Sequence, residues 1–245
     1  MQRLTWVAAF LAMAEFAFGA PATTTLAGLA LWQQAVDLAG QNASSLPASV
    51  YTRVVVRDGS GSLKDSQETW SHLGVDGTGK VVTTVTRSIK DGQDNTANAQ
   101  AQVNRNPERS RFEYSFLPMM PENQGKVQVT PTGTTRKVDG ASCEGFSFVM
   151  VGDKGPRTVG TVWIDARNAA PRLMDFTFDP LPTGASEVKS ELHFEITPKG
   201  GWHLASLSTY GVGQILFFRR SFQMEMTFSD YFQHVADNLA SGTSP

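Results

Sequence analysis

From Phe218 to Phe228 the chain alternates in kind: Phe218, Arg220, Phe222, Met224, Met226 and Phe228 take the even positions, and Arg219, Ser221, Gln223, Glu225 and Thr227 the odd ones. Successive side chains of a β-strand point to opposite faces, so a period of two specifies a strand with one dry face and one wet face. The dry face is soft and bulky. Met fills irregular gaps and adapts to changes of shape, so this surface suits either a packed core or a cavity for a flexible apolar ligand. Arg220 is the one charge on the dry side.

Strand grammar runs through most of the chain. Val50, Thr52, Val54 and Val56 alternate with Tyr51, Arg53 and Val55. Asp58-Gly59, Asp76-Gly77, Asp91-Gly92 and Asp139-Gly140 then punctuate successive strand-like runs, as a chain of antiparallel hairpins requires. Phe112, Tyr114 and Phe116 share one strand face in this reading, as do Phe146, Phe148 and Met150. Thr161 to Asp165, Arg172 to Phe178, Val188 to Ile196 and Trp202 to Tyr210 lead to the long final strand, and Tyr231, Phe232 and Val235 are expected in a closing helical turn.

One helix precedes the strands. Thr23 to Thr25 can cap it, Leu26, Leu29, Leu31, Val36 and Leu38 give it a broad apolar side, and Gly40 or residues 42–47 stop it. The polar stretch from Gln93 to Ser110 is read as an insertion, with a short surface helix around Ala97 to Val103 or with no regular structure. About ten strands with sequential hairpins predict a mainly β fold. The expected architecture is an incomplete antiparallel barrel whose inner face is either filled by side chains or covered by the N-terminal helix.

Residues 1–22 read as a secretory signal. Arg3 is followed by an apolar run from Leu4 to Ala14, too short for the about 20 residues that span a bilayer, and Ala20-Pro21-Ala22 has the small-x-small form of a cleavage site. Cleavage is expected before Thr23, with Gly19 as a second choice, leaving 23–245 as a single domain in the periplasm. The lone Cys143 has no partner for an internal disulfide. The balance of 21 basic and 23 acidic residues gives a net charge of -2 and no electrostatic reason to expect a nucleic acid partner.

Reaction motifs are missing. There is no H-E-x-x-H, C-x-x-C, G-x-S-x-G or G-x-x-x-x-G-K. His72, His193, His203 and His234 lack metal-ligand spacing. His193 and His203 could face each other across the hairpin at Pro198 to Gly201, yet only Glu191 or Glu195 could complete a ligand set. Leu192, Phe194 and Ile196 take the apolar side of that strand, which turns Glu191 and Glu195 towards water. The expectation is therefore no catalysis, no metal and no cofactor.

The apolar set is richer, with 15 Phe and 8 Met against 4 Tyr. Trp70, Met150, Trp163, Met174, Phe176, Phe178, Phe194, Trp202, Phe222, Met224, Met226 and Phe228 are expected to meet on one inner surface, as core or as the lining of a hydrocarbon site. Arg220 would stand at its rim, facing a ligand phosphate or carboxylate or closing a salt bridge.

Several stretches carry a family likeness. Ser49 to Gly61 follows a signal and one helix, and Ser66 to His72 returns beside it. Gly160-Thr161-Val162-Trp163-Ile164-Asp165 is followed, after a short turn, by Pro171-Arg172-Leu173-Met174-Asp175-Phe176. Lys137-Val138-Asp139-Gly140 lies before Cys143, and Met226-Thr227-Phe228-Ser229-Asp230-Tyr231 lies near the end. This arrangement resembles the outer-membrane lipoprotein-sorting, LolA/LolB-like family of bacterial periplasmic proteins. The resemblance implies an incomplete antiparallel barrel closed by helices, with an apolar cavity that accepts acyl chains. The family's arginine soon after the second strand has no counterpart in Trp70-Ser71-His72-Leu73. On this reading the protein carries acyl chains of a lipid or lipoprotein and meets a membrane-associated donor or acceptor protein. The alternatives are a cell-envelope sensor or docking module on the same fold and an exported hydrolase with dispersed residues.

Overall fold

A computed structural model describes residues 26–106, 112, 114–152, 156–215 and 218–234. The signal segment expected at 1–22 and Val235 of the closing segment lie outside these residues. The described chain begins with helix α1 (Leu26–Asn42) and continues through β1 (Ser45–Asp58), β2 (Leu63–Val75), β3 (Val81–Lys90), β4 (Gln93–Asp94) and helix α2 (Thr96–Arg105). A connection with one 3-10 turn (Pro121–Asn123) leads to β5 (Val127–Val138), β6 (Ala141–Met150), β7 (Arg157–Asp165), β8 (Pro171–Asp179), β9 (Ala185–Ile196), β10 (Trp202–Ile215) and β11 (Phe218–Gln233).

All eleven strands form one open sheet in the order β4-β3-β2-β1-β11-β10-β9-β8-β7-β6-β5. Neighbours are antiparallel hairpins in sequence, except that the first and last strands pair inside the sheet, from Ser45 opposite Gln233 to Asp58 opposite Arg220. The sheet does not close, because β4 and β5 stand at its two edges. It is the half-barrel that the hairpin signals predict.

Turn chemistry sets the hairpins. At Asp91-Gly92 and Asp139-Gly140 both residues have positive φ (49° and 81°, 47° and 79°), the two-residue turn that matches strand twist. Asp58 and Asp76 act differently. Each carboxylate accepts from the backbone N–H groups two and four residues on, and the left-handed residue is Gly61 or Gly79.

The dry face of the sheet is its inner face, and one end of it is packed solid. Leu31, Trp32, Ala35, Val36 and Ala39 of α1 and Tyr114, Leu117, Met119 and Met120 of the connection bury themselves against Phe146, Phe148, Ile164, Met174, Phe194, Trp202 and Phe228. Rings interlock there: Trp32 lies 5.7 Å from Phe146, and Phe194 meets Trp202 edge-on at 5.2 Å. Polar groups tie the parts of the cover to one another and, through Tyr114, to the sheet. Trp32 Nε1 donates to Gln124 Oε1 at 3.1 Å, the Tyr114 hydroxyl donates to the Ser45 carbonyl, and the Asn123 amide donates to the Ser115 and Leu117 carbonyls at 2.7 and 2.8 Å.

Two sequence expectations change. Phe112, Tyr114 and Phe116 do not share a strand face, because Pro118, Pro121 and Gly125 break the segment into turns that plug the barrel. Tyr231 and Phe232 extend β11 instead of forming a helical turn, since both stay paired with β1, opposite Pro47 and Leu46.

His203 sits where α1 hands over to β1. Its ring stacks on Tyr231 at 3.8 Å, and Nε2 lies 3.2 Å from Ser45 Oγ. Burial lowers its pKa, partly offset by Glu195. The folded state therefore binds a proton less readily than the unfolded chain, whose value is near 6.5. This histidine's contribution is complete above that pH and is lost as pH falls below it, through the folded value. Urea midpoints measured at pH 7.5 and 5.5 should fall further for the wild type than for His203→Gln; equal falls would count against the assignment.

Candidate functional site

Beyond the packed end the same inner face continues without a described cover. Its floor comes from β11, whose Phe222, Met224 and Met226 lie between β1 and β10. Val56, Val54 and Thr52 stand opposite them on one side, and Gly211, Thr209 and Leu207 on the other. Farther round, Val188 and Ser190 of β9 and Phe176 and Phe178 of β8 extend the floor. Phe176 meets Phe178 edge-on at 6.3 Å.

Exposure separates this surface from the core. Met224, Met226, Phe176 and Phe178 are half-buried, and Phe222 retains 36% of its surface in solvent. The Phe222 ring lies directly over Gly211, where an added Cβ would come within 2.1 Å of a ring carbon, so only glycine lets the ring lie down there. Two of the polar groups in this floor satisfy each other: Ser190 Oγ and Thr209 Oγ1 are buried and 3.0 Å apart. Towards β2 and β3 the wall becomes polar, with Gln67, Thr69 and Ser88 joined at 3.1 to 3.3 Å. The result is an apolar trough bounded by a hydrogen-bonded polar side.

At the open end a hollow of about 490 Å³ is lined by Val56, Ala185, Val212, Phe222 and Arg220, within the size range of small-molecule sites. Hollows of similar size elsewhere are more polar or lie on the outer face. One of 520 Å³ lies where β8 and β9 part: their ladder ends at Phe176 opposite Ser190, and Asp175, Lys189, Glu191 and Tyr210 line the gap. Another, of 620 Å³, borders His203 between α1 and the β9–β10 hairpin.

The expected inner set divides into three groups. Phe176, Phe178, Phe222, Met224 and Met226 line the trough, with Arg220 at its rim. Met150, Met174, Phe194, Trp202 and Phe228 belong to the packed core beneath α1 and the connection. Trp70 and Trp163 are a correction, since both point to the outer face. Trp163 is adjacent to the inward Val162 and Ile164, and Trp70 pairs with the outward Tyr51, so strand parity turns both away. Each makes a surface stack instead, with Arg87 5.1 Å from the Trp70 ring and Arg136 4.5 Å from the Trp163 ring. The Trp163 Nε1 donates to Asp175 at 3.2 Å.

Sequence reasoning missed Val54, Val56, Val188, Leu207 and Thr209 as trough residues. Their alternation was visible, but their facing β11 depends on pairing between distant strands. The histidines do not converge. His193 bonds Glu191 at 2.7 Å on the outer face, and His203 lies with Tyr231 and Ser45. Among the described residues no group of three or more His, Cys, Asp or Glu could hold a metal ion. Among them, too, no helix is long and apolar enough to cross a membrane, which says nothing of strands.

No family model and no curated protein matches the chain. Among solved structures it is similar to a domain from Vibrio parahaemolyticus described as an outer membrane lipoprotein-sorting protein, at 13% identity over 88% of this chain and 95% of that one, with a TM-score of 0.42. It is also similar to a DUF1329 family protein from Desulfovibrio piger, at 12% identity over 87% and 94%, TM-score 0.41. A third is a LolA superfamily protein from Nitrosomonas europaea, at 9% identity over 87% and 97%, TM-score 0.36.

The division of the inner face has a measurable consequence. Phe194→Ala empties a packed site and should cost about 3–5 kcal/mol in urea unfolding. Phe222→Ala removes a ring already facing solvent and should cost about 1 kcal/mol or less. Equal costs would mean that the trough is filled in solution.

Proposed function

We propose that this protein binds acyl chains of a lipid or lipoprotein in the open trough of its half-barrel, as an exported periplasmic carrier that performs no covalent chemistry. The observation that carries the reading is the partial exposure of Phe222, Met224, Met226, Phe176 and Phe178 on a concave surface continuous with the core. An antiparallel sheet usually packs one face and solvates the other with polar side chains. Here the solvated part of the dry face stays apolar, so it gains by contact with hydrocarbon.

The energetics suit a carrier. Burying a methylene is worth about 0.8 kcal/mol whether the acyl chain enters a protein cavity or a bilayer. Moving a chain between the two is then nearly balanced, and a small difference in fit or partner contact sets the direction. Such transfer calls for a membrane-associated donor or acceptor protein. The trough lining contains Met and Phe, which adapt to chains of differing shape.

Native mass spectrometry of protein purified without detergent tests this. The expected result is co-purified lipid in the wild type and none in a folded Met224→Glu/Met226→Glu double variant, because two carboxylates in the floor would have to be desolvated by the chain. Lipid retained by the folded double variant would remove these residues from the site. An empty wild type that captures one envelope protein would instead favour a docking module.

A further inference from the structure

Arg220 presents a cation where the trough needs nothing charged for its own stability. It lies on the inner side of β11, opposite Asp58 of β1 and Gly213 of β10. An arginine facing an aspartate across an antiparallel pair ordinarily meets it, and here it does not. The Asp58 carboxylate is held in its own turn by Lys64 Nζ at 2.9 Å, Ser60 Oγ at 2.6 Å and the Ser60 and Ser62 N–H groups at 3.0 Å each. Those contacts hold its pKa far below the usual carboxylate range, the Ser60 hydroxyl contributing most and Lys64 next. Asp58 is thus an occupied anion. Among the described residues the Arg220 guanidinium has no carboxylate or hydrogen-bond partner. Gly213, opposite it on β10, has no side chain to pair with it, the Gly184 carbonyl oxygen lying 3.2 Å from where a Cβ would stand, and Arg220 borders the same 490 Å³ hollow as Phe222 and Val56.

We propose that the ligand is a lipid with an anionic head, a phosphate or carboxylate, that Arg220 receives at the open end while the hydrocarbon lies along β11 towards Met226. The inference rests on the trough reading and narrows it. A lipoprotein whose modified end carries no negative charge would leave Arg220 unused. Two features match the head and tail. Guanidinium offers paired donors in the planar geometry of carboxylate and phosphate oxygens. From Arg220 to Met226 the strand rises about 20 Å, more than the thickness of one leaflet, half of a hydrocarbon core about 30 Å thick. Head and chain therefore fit one continuous line on the sheet.

The test uses two detergents that share a twelve-carbon tail, dodecyl phosphate and dodecyl maltoside. Each is titrated calorimetrically below its micelle concentration into full-length mature protein. The expected result is about tenfold tighter binding of dodecyl phosphate by the wild type. In Arg220→Gln, folded by circular dichroism, this preference should disappear while dodecyl maltoside binds as before. Arg220→Lys, with a point charge in place of the planar fork, should keep a smaller preference. Equal affinities in the wild type, or a preference that survives in Arg220→Gln, would overturn the head-group assignment and leave the trough intact, provided that dodecyl maltoside still binds and Met224→Glu/Met226→Glu abolishes its binding. Binding of neither detergent would overturn both.

Discussion

The described cover is smaller than the sheet. Eleven strands at their usual spacing measure about 48 Å across, whereas the 17 residues of α1 make a rod about 26 Å long. Among the described residues, α1 and the connection before β5 desolvate only part of this inner face. The chain spends its lid on one end, where Trp32, Tyr114 and Met119 reach Phe146, Trp202 and their neighbours. Everything distinctive about the other end follows from that shortage.

Within the open part, polarity is sorted by strand. The β1 and β8 to β11 segments offer mostly hydrocarbon, interrupted by Thr52, by the paired hydroxyls of Ser190 and Thr209 and, at the rim, by Arg220. The β2 and β3 segments offer amide and hydroxyl groups already bonded to one another. Helix α2 completes that side by accepting the free Val85 N–H on Gln100 Oε1 at 2.6 Å and the Ser88 N–H on Thr96 Oγ1 at 2.9 Å. An acyl chain in the proposed trough would gain nothing by moving over those strands.

Much of this was legible in local patterns. Alternation from Phe222 to Phe228 placed its residues on the correct face, the Asp-Gly pairs marked real hairpin turns, and the helix before Gly40 was visible from its apolar side. What failed was of two kinds, one local and one long-range. Trp70 and Trp163 were grouped with the inner set by residue type, although their immediate neighbours fix them outside. Tyr114, Leu117, Met119 and Met120 carry no strand or helix period, so nothing local announced that this segment would fill one end of the concavity. The separation of core from trough depends on where that plug stops.

The meeting of β1 and β11 gives the order of synthesis a structural meaning. The strand next to the middle of the sheet is the last of the described strands to be made, and its partner on one side is the first. Until β11 is available, β1 and β10 each keep an unpaired edge, and the two meanders have nothing to join them. Contacts of such long reach form slowly. A chain that stopped short of Phe218 would be two unfinished sheets, each with a raw border able to recruit a foreign strand.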